Sequence, residues 1–479
     1  MKSVMAMKQR MLRKADMCIL EEKLTTALRY ENAQGDTADN GKKLTLQLNR
    51  RTASIKRKIA IGMNRIGAAV VLFLFSAILL KAQLVTTSRS SIRSVQILLN
   101  DEWNCTPVLA LNGSDHLTVS FDDLAEEYRR YRYRIVHCDF DWQPTTTLFD
   151  SDYLRGETSS QPIDDWEESL NTTQLFVHYS FTFPNGRVRP AVSGNYKLVV
   201  FDDNADEDVC EIRFYVVETL CTIRASVTTQ TDIDRNQSHQ QLKFSVRPQS
   251  GARIVDADRE IKTRILQNDR WDNAVRNPKI DYKTGTELQW EYARELIFDA
   301  GNEYRRFEVT NLHVGRLGVD NIRWFYPYYH FTLYEDKPRL NYTYIEDQNG
   351  GFLPRTEEYE DDDIESDYVL VHFTLKREPL LGYDVYVSSP WWPLDERCRM
   401  EYDSDGECYR AALFLKQGYY NYMYLTRAKG GTGAAATEPI EGNYYQTENK
   451  YTIFVYHRPQ GGRYDKLIGV SNINFAVSR

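Results

Sequence analysis

The chain has 479 residues, with 60 Lys and Arg against 68 Asp and Glu and a net charge of −8. The charge is uneven: residues 1–82 hold 16 basic and 6 acidic side chains, leaving 44 against 62, near −18, for residues 83–479. So acidic a body excludes a nucleic-acid partner, whose phosphates need Lys and Arg to displace counterions, and disfavours an anionic membrane surface.

In chain order, the first feature is a basic leader, 1–62, with 14 Lys and Arg against 6 Asp and Glu. It precedes the stretch MNRIGAAVVLFLFSAILLKAQ, in which Arg65 is followed by an uncharged apolar run at 66–80. A membrane span needs about 20 apolar residues, whereas a signal-peptide core needs roughly 7–15. The run therefore predicts a secretory signal at 63–82, initiated at Met63 and cut after Ala82, with 1–62 as translated upstream sequence. A basic arm ahead of a single-pass anchor is the alternative. No cysteine follows the expected cut, which argues against a lipid anchor.

The 397 residues from Gln83 onward suit two to four domains of the usual size. They read as short alternating segments separated by turn residues, the pattern of an all-β protein built from tandem sandwiches. In VHYSFTFP, Val177, Tyr179, Phe181 and Phe183 share a face; in DYVLVHFTLK, Val369, Val371, Phe373 and Leu375 do. Three blocks are expected: 83–219, closing with RFYVVE; 220–344, opening with CTIRASVT and running through FYPYYHFTLYE; and 345–479, preceded by the acidic linker DQNGGFLPRTEEYEDDDIESD.

Six cysteines remain in the exported part: Cys105, Cys138, Cys210, Cys221, Cys398 and Cys408. Spacing cannot choose among their 15 pairings. In CRMEYDSDGEC, a hairpin turning near Ser404-Asp405-Gly406 would set Cys398 opposite about Ala411 and leave Cys398 and Cys408 unbridged.

No Walker loop, G-x-S-x-G, H-E-x-x-H or C-x-x-C motif is present, and the eight histidines are scattered, so no enzyme, metal or cofactor is expected. In HCDFDW, Asp139 and Asp141 would project from one face of a strand at a spacing of about 6.6 Å, usable in glycoside hydrolysis. Apolar parity passes from Tyr131, Tyr133 and Ile135 to Val136, Cys138, Phe140 and Trp142, so a bulge or a change of sheet near Ile135 would leave both aspartates on the solvated side. Asp403 and Asp405-Gly406 resemble the start of a calcium loop, but the twelfth position from Glu401 is Ala412, so an acidic hairpin tip is preferred. Trp391 and Trp392 are the partner-contact candidates, either stacking on a sugar or anchoring a protein. VYVSSPWWP followed by MEYDSDGECYRAALFLKQGYYNYMYL is similar to the early-set, immunoglobulin-like sandwich of glycogen-binding modules.

Longer matches follow. SFDDL, HCDFDW, FPNG (183–186), SGNY and RFYVVE resemble the first domain of the type IX secretion system plug protein family of Bacteroidota. QNDRWDNAV, GNEYRRFEV, LKQGYYNYMYL and EGNYYQTENKYTIFVYHRP resemble the rest of that family. The resemblance implies a non-enzymatic periplasmic protein, associated with the outer membrane, that closes a giant outer-membrane β-barrel translocon and has no small-molecule substrate. A periplasmic or surface carbohydrate-binding sandwich protein is the alternative.

Overall fold

Strands that alternate apolar and polar residues bury one face each, and here they pair into three sandwiches. The computed structural model describes residues 83–125, 127–249 and 252–477. The expected leader at 1–62 and signal at 63–82 lie outside the described residues. The fold is all-β. Among the described residues no helix is long and apolar enough to cross a membrane.

The first sandwich pairs two sheets. One orders Ile92–Leu99, Leu117–Asp123, Val177–Phe183 and Asp165–Glu168; the other contains Glu207–Val217, Gly194–Asp202 and Tyr131–Cys138. The register Leu117↔Phe183, Val119↔Phe181, Phe121↔Tyr179 puts the alternating apolar set inward, with Phe121 and Tyr179 stacked at 5.2 Å.

Tyr131–Cys138 keeps its parity throughout. Tyr131, Tyr133 and Ile135 stay in this core, while Val136, Cys138, Phe140 and Trp142 face a second apolar cluster with Tyr215, Leu266, Trp271, Phe454 and Tyr456. Of the two causes expected near Ile135, the bulge is absent from this strand's ladder, which runs unshifted from Asp202↔Tyr131 to Asn195↔Cys138. Both faces are buried because one packs inside the first sandwich and the other against the second.

The second sandwich is discontinuous in sequence. Its sheets are Cys221–Thr228, His239–Pro248, Leu288–Trp290 and Tyr282–Lys283, facing Arg270–Arg276, Ile261–Gln267, Asn449–His457 and Lys466–Phe475. The blocks 220–344 and 345–479 are thereby corrected. Ile261–Gln267 pairs over its whole length with Asn449–His457, so the last two strands close the second sandwich.

The third sandwich is inserted between these halves. It sets Val319–Phe325, Tyr328–Leu333, Tyr368–Lys376, Cys408–Lys416 and Glu401–Asp403 against Arg305–Val309, Gly418–Ala428, Phe352–Pro354 and Tyr383–Ser388. Val369, Val371, Phe373 and Leu375 form its centre with Phe307 and Tyr424. FYPYYHFTLYE belongs here, and the acidic stretch expected as a linker lies within this sandwich: Phe352–Pro354 is a strand paired with Gly418–Ala428. Gly418 is required there, since a Cβ would stand 2.3 Å from the Leu353 carbonyl oxygen.

Candidate partner-contact surface

The residues singled out from sequence are used internally. Asp139 lies past the strand end, in a turn, where Oδ1 accepts the Asp141 and Gln143 amides at 2.8 and 3.1 Å. Asp141 pairs with Arg276 at 2.5 Å and Arg264 at 3.6 Å, tying the first sandwich to the second. Asp403 likewise closes its hairpin, accepting the Asp405 and Gly406 amides and pairing with Arg410 at 3.1 Å. Its ladder runs from Asp403↔Cys408 to Glu401↔Arg410, so Cys398 lies beyond it. All six cysteines among the described residues are free thiols, and burial pushes Cys138, Cys221 and Cys398 up to about 12, which leaves these three unreactive. Among the described residues no three His, Cys, Asp or Glu side chains gather as metal ligands.

Trp391 and Trp392 are half-buried in the seam between the first and third sandwiches. Trp391 packs on the first core and lies edge-on to Phe352 at 5.6 Å. Trp392 packs on the third core near Phe373 and Tyr420, and its carbonyl accepts Gln83 Nε2 at 3.0 Å. The ring pair joins two sandwiches.

A second seam contact is ionic and was invisible in sequence. Asp122 of the first sandwich, 1% exposed, meets three groups. Its Oδ1 accepts His178 Nδ1 at 2.7 Å, while Oδ2 accepts Lys416 Nζ and Tyr368 OH from the third, each at 2.7 Å. Burial alone would push this carboxyl up; Lys416 and His178 overturn that and hold it below the usual carboxylate range.

Two other buried groups oppose each other in pH. His137, bonded to Thr145 Oγ1 and the Ser193 carbonyl, is held neutral by burial, with its pKa lowered to about 4. Glu303, which accepts Tyr342 OH at 2.7 Å, is raised by burial to about 7. Between pH 4 and 6.5 the unfolded imidazole binds a proton that folded His137 refuses, so that contribution is lost as pH falls. Between pH 4.5 and 7 folded Glu303 keeps a proton the unfolded chain has lost, so that contribution is lost as pH rises. Each slope is at most about 1.4 kcal/mol per unit. Glu303→Gln is expected to gain stability over the native chain by about 3 kcal/mol between pH 4.5 and 7, and His137→Gln to gain over it as pH falls. Urea midpoints at three pH values read both; a constant difference would refute the assignment.

What the sequence did not single out is the turn Tyr326-Pro327, which closes the hairpin of Val319–Phe325 and Tyr328–Leu333. Trp324, Phe325 and Tyr326 are 47, 54 and 89% exposed. The signal was present as WFYPYYHF, but a run of aromatics between strands does not say which rings face out. The rest of the hairpin is fixed. Trp324 lies against Tyr329 at 4.7 Å, Phe325 against His330 at 5.2 Å, and Tyr328 against Phe414 at 4.7 Å, with Tyr328 OH 3.2 Å from Gln174 Oε1.

Three linked β-sandwiches with buried seams and a projecting aromatic turn define a protein of the all-β class. The family model for the type 9 secretion system plug protein 1st domain matches residues 92–218, which is the first sandwich. The crystal structure of a hypothetical protein from Parabacteroides merdae is similar at 38% identity, with 82% of this chain and 99% of that one covered and a TM-score of 0.79. The chain belongs to the type 9 secretion system plug protein family. Membership gives it a role associated with type 9 secretion, an association with a component of that system and an envelope-associated location. Among curated proteins nothing matches. Dimeric latent PorU from Porphyromonas gingivalis is similar at only 9% identity with a TM-score of 0.12, which carries no argument.

Proposed function

We propose that this protein is a non-enzymatic periplasmic subunit that seats in the inner mouth of the large outer-membrane barrel of type 9 secretion. It holds the pore shut until a cargo-bound shuttle takes its place. The match of the first sandwich to the plug family carries this reading. The seams support it, because a stopper must not deform: Trp142, Trp271, Phe454 and Tyr456 lock the first sandwich to the second, and the Asp122 cluster locks it to the third. A reversible gate also has to leave, so its contact should be near micromolar, about −8 kcal/mol.

Tagged protein expressed from Met63 and recovered from gently solubilised outer membranes is expected to bring one very large barrel protein with it. Recovery of the chain alone would overturn the reading.

A further inference from the structure

The hairpin end has the properties of a protein-binding anchor. Large aromatics that are exposed yet held rigid cost little entropy on docking and dominate interface energies. Beside it runs the segment 357–367. The connection is through His313, whose ring lies 5.9 Å from Tyr329 and whose Nε2 is 3.9 Å from Glu358, and through Gln174, which joins Tyr328 OH to the Asp367 carboxylate.

Glu360, Asp361 and Asp362 are exposed, with no Lys or Arg at ion-pair distance among the described residues. The loop of the first sandwich that this segment grips, through Leu170 N to the Ile364 carbonyl and Asn171 Nδ2 to Glu365, adds exposed Leu170 and Leu175. One surface thus combines an aromatic prow, two aliphatic side chains and an unneutralised acidic flank.

We propose that this surface, centred on Trp324, Phe325 and Tyr326, is the face that docks on the partner, and that the partner presents an apolar recess with a basic rim. An acidic flank repels an acidic rim and is neutralised by Lys and Arg, which speeds encounter and fixes orientation. The proposal rests on the plug reading above for the partner's identity: the recess and rim belong to the periplasmic mouth of the barrel.

The test places the photo-crosslinker p-benzoylphenylalanine at Tyr326 and, separately, at two exposed positions elsewhere, Tyr282 and Leu381. Cells producing the protein are irradiated and adducts identified by mass spectrometry. The barrel is expected in the adduct from position 326 and absent from those at 282 and 381. Trp324→Ser with Tyr326→Ser should leave the melting temperature unchanged and cut barrel recovery about tenfold or more. Asp361→Lys with Asp362→Lys should reduce recovery at low salt and flatten its salt dependence.

Barrel adducts from 282 or 381 without one from 326 overturn the surface and leave the plug reading intact. Absence of the barrel from every adduct and from the pull-down overturns both. An adduct at 326 with a soluble protein alone overturns the barrel as occupant.

Discussion

A chain ended after Glu448 is expected to lose its second sandwich entirely. Asn449–His457 is the strand between Ile261–Gln267 and Lys466–Phe475, so its removal strips hydrogen bonds from the first neighbour and takes the second with it. Its side chains serve two cores. Tyr451, Ile453 and Val455, with Ile468, fill the second sandwich, while Phe454 and Tyr456, with Leu467, fill the seam to the first. Burying a large apolar side chain contributes about 1.5–3 kcal/mol, so these seven contribute on the order of 10–20 kcal/mol, as much as the whole stability of a typical domain. A contiguous 220–344 fragment should fail for the same reason. By contrast, a chain of 83–302 joined by a short linker to 442–477 should fold, because the two ends are already adjacent: the Gly301 amide donates to Asn443 Oδ1 at 3.0 Å. Cooperative unfolding and hydrogen exchange of Ile261–Gln267 distinguish the three; protection of that strand in the chain ended after Glu448 would refute the insertion.

That result separates what alternation reveals from what it conceals. Period-two patterning fixes the face of each residue in Val177–Phe183 and Tyr368–Lys376, since slipping by one would turn the aromatic set to solvent. It does not name the strand's neighbour. YTIFVYHRP reads the same whether it pairs within the last block or with Ile261–Gln267 some 190 residues earlier, hence the misplaced boundary at 344. In HCDFDW the apparent change of parity was correctly located but has a different cause: the residues after Ile135 belong to an inter-sandwich core that no local pattern encodes. Trp391 and Trp392 were legible as large rings suited to a contact, though not as a joint, because part of the surface they cover comes from the first sandwich. The acidic run was legible as solvated at Glu360, Asp361 and Asp362, yet its end is not: Asp367 is 1% exposed and accepts amides from Thr173 and Gln174. Lys416 in LFLKQGYY carries no mark distinguishing it from an exposed lysine, and only the fold makes it the cation of a buried cluster.

That lysine yields the largest expected effect of a single side chain. Lys416→Met is expected to destabilise the protein by about 3–5 kcal/mol, because a buried pair broken on one side leaves the other charge uncompensated. The site offers Asp122 little relief. Lys416 and Asp122 are 2 and 1% exposed, the Lys416 ammonium lies 4.3 Å over the Phe176 ring, and the remaining donors to the carboxylate are His178 and Tyr368, the latter itself fully buried. Without Lys416 the carboxyl should move up, so the variant's deficit should shrink as pH falls toward the carboxylate range and Asp122 takes a proton. Asp122→Asn combined with Lys416→Met removes both charges and keeps an amide that accepts from Tyr368 OH and donates to the imidazole of His178. It should therefore recover most of the loss, with a coupling of at least about 2 kcal/mol in a double-mutant cycle. A merely local packing role for Lys416 predicts additive losses instead, and no dependence of its deficit on pH. Since the cluster joins Leu117–Asp123 to Tyr368–Lys376 across the seam, hydrogen exchange in Lys416→Met should rise first at those two strands, loosening the first sandwich from the third while each keeps its own core.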